Sequence, residues 1–290
     1  MKRLRAFLVL FALLITPPLG VCGSTGLETV TFQNGAVVLR GELYKPSGPG
    51  PFPVVLYNHG SAPGMLNSQA AAQLGPLYVS HGWAFFMPYR RGQGLSEKAG
   101  PYIGDEIDQA ERTGGAVAGA RVMLQRLQGD QLNDQLAALA WLKQQKWVSQ
   151  KQIAVAGNSF GGIETILALA HEPFCAAVDA SGGAESWEKS PDLQKVMKAT
   201  VRSARSPVLF FQAENDFNVS PSKVLSEEMK KAGKSSEIKI YPPFGASPKE
   251  GHSFAYRGTK IWFDDVFKFL STHCGDGLMS KQVLHGQHAE

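Results

Sequence analysis

The sequence predicts an α/β protein built on a mostly parallel sheet, entered through antiparallel strands and covered by helices on both faces. Three observations carry this prediction. From Pro53 onward, short runs with strand character alternate with segments of helical length. Those runs are almost continuously apolar, as strands covered on both faces must be. Ahead of them, Asn34-Gly35 separates two alternating segments, a hairpin signal because both residues accept the positive φ of a type I′ turn.

The chain begins with Lys2, Arg3 and Arg5, an apolar run from Ala6 to Ile15, then Thr16-Pro17-Pro18 and the small residues up to Ser24. This is the order of a secretory signal peptide, assigned to residues 1–23. The apolar run falls short of the roughly 20 residues a membrane helix needs. Leu19-Gly20-Val21-Cys22 also resembles a lipobox, which makes a lipid anchor at Cys22 the alternative to simple cleavage. The folded domain is expected over residues 24–275. It opens with the hairpin strands Glu28 to Gln33 and Ala36 to Tyr44. The strands that follow are Val54 to Asn58, Trp83 to Pro88, Ile153 to Ala156, Ala176 to Ala180, Val208 to Gln212 and Ile238 to Tyr241. Helical stretches lie near Gln69 to Ser80, Gln131 to Gln145, Ile163 to His171, Ser220 to Ala232 and Thr259 to Thr272. Two segments exceed what a connection needs, Arg90 to Gly129 and Gly182 to Ser206. Each follows a strand end on the side where open α/β sheets bind ligands, so both read as cap or pocket-lining insertions. Residues 276–290 turn polar and are expected to form a disordered tail.

Charge excludes one class of function. The formal net charge of +4 includes three positive charges in residues 1–23 and no acids there, so removing that segment leaves +1. Such a domain carries no basic excess for nucleic acid. The histidines and cysteines show no H-x-x-x-H or C-x-x-C spacing, so no metal is implied. Cys175 and Cys274 stand in a chain bound for a compartment that tolerates disulfides; pairing and simple core packing are both open.

Gly157-Asn158-Ser159-Phe160-Gly161 lies between the apolar β run at Ile153 and the helical run starting at Ile163. A strand that turns into a helix through two glycines holds its central serine exposed above the sheet edge and over a helix N-terminus. Ser159 is therefore the candidate nucleophile. A serine hydroxyl is weak at its own pKa and needs a base, and the base needs an orienting group. Asp216 follows the strand Val208 to Gln212, and His252 lies in the loop after the last strand, so acid and base come in the order expected downstream of such a serine. Glu214 and Asp179, each near a strand end, are rival acids. For the oxyanion, the backbone N–H of Phe160 is one donor. The second comes from Asn58-His59-Gly60-Ser61, with Ser61 as first choice and Gly60 as the alternative.

Assembled, these residues make the chain resemble the α/β-hydrolase superfamily, and within it the dienelactone hydrolase and prolyl oligopeptidase type branch. The likeness spans about residues 28–272. It rests on Tyr57-Asn58-His59-Gly60, on Pro88-Tyr89-Arg90-Arg91-Gly92-Gln93-Gly94-Leu95-Ser96, which looks like an R-G-x-G-x-S segment, on Gly157 to Gly161, on Asp216-x-x-Val219, and on Gly251-His252-Ser253-Phe254. Dienelactone hydrolases proper carry cysteine where this chain has Ser159, and about 30 residues ahead of the sheet leave no room for a propeller domain. The resemblance implies a secreted or periplasmic serine hydrolase acting without a cofactor on a small ester. Cleavage of short peptides, and a binding protein that keeps the fold without the chemistry, are the competing expectations.

Overall fold

A computed structural model describes residues 26–275. The expected signal peptide, Cys22 and the expected C-terminal tail lie outside the described residues. Eight strands form one sheet: β1 (Leu27–Asn34), β2 (Val37–Tyr44), β3 (Phe52–Asn58), β4 (Ala84–Pro88), β5 (Val148–Asn158), β6 (Ala177–Ala180), β7 (Val208–Ala213) and β8 (Ser236–Tyr241). Their order across the sheet is β1-β2-β4-β3-β5-β6-β7-β8. β1 with β2 and β2 with β4 are antiparallel; every other neighbouring pair is parallel. The hairpin turns at Gly35-Ala36, one residue later than expected: Asn34 ends β1 paired with Val37, and of the expected pair only Gly35 takes a positive φ, 59°.

Period-2 alternation divides each buried strand between two cores. Val54 and Leu56 of β3, with Ile153 and Val155 of β5, face α2 (Ile103–Gln128), α3 (Asp130–Lys143), α4 (Phe160–Ala168), α5 (Pro191–Ser203) and α6 (Ser220–Lys231). Val55 and Tyr57, with Ala154 and Ala156, face α1 (Ser68–Ser80), α8 (Phe254–Arg257) and α9 (Thr259–Cys274). The short helix α7 (Pro248–His252) precedes α8. Helices on both faces explain why these strands read as continuous apolar runs.

The two long segments fold in ways the sequence shows only in part. Arg90 to Gly129 contains a 3₁₀ segment (Gly94–Ala99) and α2, which breaks its helical geometry at Gly115. Gly182 to Ser206 contains α5, capped by Ser190, whose Oγ accepts from the N–H of Leu193 at 3.4 Å. Ile103, Met123, Leu124 and Leu127 of α2 and Leu193, Met197 and Val201 of α5 are buried in the first core, so both helices serve mainly as cover for the sheet. His252 also differs from expectation: it ends α7 instead of lying in a loop. Ser247 accepts from the N–H of Glu250, and the Glu250 carboxylate returns to the Ser247 hydroxyl at 3.0 Å, a capping box with Pro248 in the first turn.

Cys175 and Cys274 form a disulfide that ties the end of α9 to the entry of β6 across 99 residues of sequence. Closing a loop of that length withholds about 4–5 kcal/mol of chain entropy from the unfolded state. Cys175→Ser with Cys274→Ser should therefore lower the urea midpoint sharply without changing the far-UV circular dichroism of the folded protein. A midpoint equal to that of the oxidised protein would refute this account.

Candidate active site

The site is built where β5 turns into α4. Ser159 sits between them with φ 56° and ψ −121°, a positive φ that a residue with a side chain adopts only under constraint. Its N–H donates to Ala180 O at 3.0 Å and its carbonyl accepts from the N–H of Ile163 at 3.1 Å, so β6 and α4 hold the turn on both sides. The flanking glycines are required by close approach. A Cβ at Gly161 would collide with the carbonyl of Asn58, and one at Gly157 with the carbonyl of Gly161. The turn can thus press against the end of β3, and Ser159 is left at the carboxyl edge of the sheet.

The acid and base meet from separate elements. Asp216, in the turn after β7, accepts from His252 Nδ1 at 2.8 Å. Its other contacts fix the carboxylate: Oδ1 also accepts from the N–H of Phe217 at 2.7 Å, and Oδ2 accepts from Gln212 Nε2 at 3.2 Å. Gln212 is itself held by the hydroxyl of Ser222 at 2.5 Å. With its proton on Nδ1, His252 keeps Nε2 free as a base. Burial pulls the imidazole pKa down, but the hydrogen bond and charge of Asp216, with the charge of Glu185, more than offset it, and the net shift is upward. Phe217 lies edge-on to the ring at 5.2 Å. Neither rival acid joins His252. Glu214 is exposed, and Asp179 is buried beneath the elbow, accepting from the N–H of Gly182 at 2.9 Å.

The start of α4 carries one N–H expected to receive the oxyanion, that of Phe160, and the loop after β3 carries the other. Gly60 lies directly against the elbow, with a Cβ there falling 3.6 Å from that of Ser159. Among the described residues, neither the N–H of Phe160 nor that of Ser61 meets a hydrogen-bond acceptor, and Gly60 N–H is equally open. The loop is clamped from below. The Arg90 guanidinium donates to His59 O at 2.8 Å, and Asn67 Nδ2 donates to Gly60 O at 3.0 Å. The Arg90 N–H donates to His59 Nε2 at 3.3 Å, which puts the imidazole proton on Nδ1 facing Gly60 O at 2.7 Å. Burial and the neighbouring Arg90 charge hold His59 neutral, well below the usual histidine range. It is therefore a structural partner of the loop. Ser61 Oγ meets the phenol of Tyr102 at 3.0 Å, and the Ala62 N–H donates to Gln93 Oε1 at 3.2 Å, so the Arg90–Gly129 segment touches this loop at further points besides Arg90.

Ser159 and His252 share a cavity of about 260 Å³ with Gly60, Ser61, Ala62, Leu66, Asn67, Gln69, Ala70, Asn158 and Tyr256. Its walls come from the loop after β3, from α1, from the end of β5 and from α7 and α8. No hydrogen bond joins the Ser159 hydroxyl to His252 among the described residues; such contacts commonly tighten only when substrate binds. A second cavity of about 480 Å³ lies on the far side of Phe217, lined by Ala184, Glu185, Glu188, Lys189 and Asn218. This is where the Gly182–Ser206 segment approaches the site. Gln212, Ser222, Arg90 and Asn67 escape a reading of the sequence. Arg90 alone stands in a quoted motif, and nothing in that motif says that its side chain is buried under the loop.

Comparison with known proteins agrees with this architecture. The model of the dienelactone hydrolase family matches residues 39–268. A Pyrococcus horikoshii acylaminoacyl peptidase superposes with a TM-score of 0.63 at 17% identity, covering 86% of this chain and 41% of that one. The Pyrococcus furiosus esterase Pf2001 superposes with a TM-score of 0.62 at 16% identity, covering 87% of this chain and 94% of that one. Porphyromonas gingivalis dipeptidyl peptidase 4 gives 0.59 at 17% identity, over 86% of this chain and 36% of that one. The chain thus spans about two fifths of the acylaminoacyl peptidase and nearly the whole esterase. At these identities the likeness establishes the α/β-hydrolase fold.

Two outcomes follow from the electrostatics. A base must be neutral to act, so with His252 as the base its raised pKa would set the acid limb of kcat/KM higher than an ordinary histidine would. Glu185→Gln removes one charge that raises it, so the limb should move toward lower pH; a limb that stays in place would exclude Glu185 as a contributor. Burial pushes Asp179 up to about 7, against the weaker opposing effect of the Gly182 N–H. The folded state then holds this proton longer than the unfolded chain, so the Asp179 contribution is fullest below about pH 4 and declines as pH rises through 7. Urea midpoints of Asp179→Asn should decline less than those of wild type over that window. Parallel curves would rule Asp179 out as the titrating group.

Proposed function

The chain belongs to the dienelactone hydrolase family, and we propose that it cleaves a carboxylic ester by two-step acyl transfer through Ser159, His252 and Asp216. The observation that carries the reading is the convergence in one cavity of a serine on a strained elbow and a histidine bonded through Nδ1 to a buried, oriented carboxylate. His252 Nε2 takes the Ser159 proton as Oγ attacks the carbonyl carbon. The N–H groups of Phe160 and Ser61 receive the oxyanion, each such donor contributing about 3–4 kcal/mol. His252 then passes its proton to the departing alcohol, leaving an acyl group on Ser159. Water, deprotonated by the same nitrogen, releases the acid and restores the serine.

An ester fits better than a peptide because the cavity is small and, His252 apart, is lined by uncharged side chains. A peptidase acting on short peptides is the second reading, favoured by the fold shared with the acylaminoacyl peptidase. The leader-like N-terminus and the Cys175–Cys274 disulfide support a secreted or periplasmic enzyme, either free or anchored through Cys22.

A fluorophosphonate probe should label the wild-type protein and leave Ser159→Ala unlabelled. p-Nitrophenyl esters should be turned over faster than aminoacyl p-nitroanilides, with kcat in Ser159→Ala lower by up to about 10⁶-fold. Faster turnover of the anilides would establish the peptidase reading. A wild type that neither labels nor turns over either series would leave a binding protein.

A further inference from the structure

Asn158, the residue before the elbow serine, is more than nine-tenths buried yet lines the cavity. One end of its amide is occupied: Tyr57 Oη donates to Oδ1 at 3.0 Å. Burial pushes the Tyr57 pKa up, so this phenol keeps its proton, and Asn158 Oδ1 is its one acceptor among the described residues. That bond sets which way the amide faces. The N–H₂ end is turned toward the loop after β3, where Nδ2 lies 3.3 Å from the position of a Cβ on Gly60, a position that is also 3.6 Å from the Cβ of Ser159. Among the described residues no acceptor takes a proton from Nδ2. Nδ2 opens onto the cavity, so a bound apolar molecule that shuts water out would leave this donor without a partner, at about 1–3 kcal/mol, whereas one of the same shape that supplies an acceptor avoids that cost.

We propose that Asn158 is a specificity-determining residue, whose Nδ2 donates to a hydrogen-bond acceptor carried by the substrate next to its scissile carbonyl. The inference rests on the ester-hydrolase reading and narrows it. The preferred substrate is a small, uncharged ester bearing an ether, hydroxyl or carbonyl oxygen near the reacting carbon, in place of a plain alkyl acyl group. The remaining lining agrees with that class. Ser61, Asn67, Gln69 and Tyr256 supply neutral polar groups, and a cavity of about 260 Å³ has little room for a long chain.

The test compares p-nitrophenyl methoxyacetate with p-nitrophenyl butanoate, which differ by one oxygen in place of a methylene. Intrinsic reactivity differs between them, but it cancels when the ratio of their kcat/KM values is compared between enzymes. Asn158→Ala should lower the methoxyacetate-to-butanoate ratio by about 3- to 10-fold. Tyr57→Phe, which releases the amide to turn, should lower it in the same direction; this variant also keeps the test intact if Asn158→Ala folds poorly. Equal losses on both esters would overturn the proposal and place Asn158 in the scaffold or at the oxyanion. An unchanged ratio in either folded variant would overturn it as well. Failure of the underlying reading has a different signature, since a wild type that hydrolyses neither ester and resists the fluorophosphonate probe is no esterase.

Discussion

The candidate site depends on a buried guanidinium. Arg90, at the end of β4, is 2% exposed, and it reaches three elements that would otherwise only abut one another. It donates to the His59 carbonyl in the loop after β3, to Gln131 Oε1 at 3.2 Å on α3, and lies 2.9 Å from Glu164 on α4. α4 is the helix that begins at the elbow, so one side chain joins the helix behind the candidate nucleophile to the loop that carries a candidate oxyanion donor. Taking a cation out of water is costly, and its paired carboxylate with the oxygens of His59, Gly60 and Gln131 makes this burial tolerable. Glu164 bears the strain of that arrangement: burial pushes its carboxyl up to about 7, although Arg90 pulls the other way. Loss of either partner strands the other, at about 3–5 kcal/mol for a pair of this kind.

Around that clamp the site is layered. Ser159 is positioned by backbone, through the carbonyls and N–H groups of β6 and α4 and the two glycines that allow β3 to come close. His252 and Asp216 are positioned by side chains, in a chain of contacts from Ser222 through Gln212 to the carboxylate. The serine is thus held by parts that substitution of neighbouring side chains barely touches. The acid–base pair is held by parts that single substitutions can loosen.

That division explains what could be read from the sequence. The N-terminal hairpin, the strands marked by apolar runs and the elbow itself are encoded by adjacent residues, because turn chemistry and period-2 burial act locally, although the hairpin turns one residue past the expected pair. Asp216 and His252 were legible by position, since parallel strands bring successive loops to one edge. Gln212 reads as another strand residue, and Tyr57 as core, until the fold sets them against Asp216 and Asn158. The capping box at Ser247 was missed because Gly245 and Ala246 ahead of it look like loop, and α7 is only five residues long. The pocket walls were expected from the two long segments, yet α2 and α5 cover the sheet, because their apolar stripes bury more surface there than over a small polar cleft. The bridge between Cys175 and Cys274 depended on α9 ending beside the entry of β6, which no spacing announces.

That bridge also fixes an order of events. Cys175 precedes β6, whereas Cys274 closes α9, so no correct pairing can exist until β7, β8 and all three final helices have been synthesised. Oxidation therefore cannot begin to constrain the chain until its last helix has been made. The histidine-bearing segment lies inside the enclosed stretch, strung between β8 and α9. A protease that nicks the oxidised protein there leaves its fragments attached, with the severed end still beside the sheet.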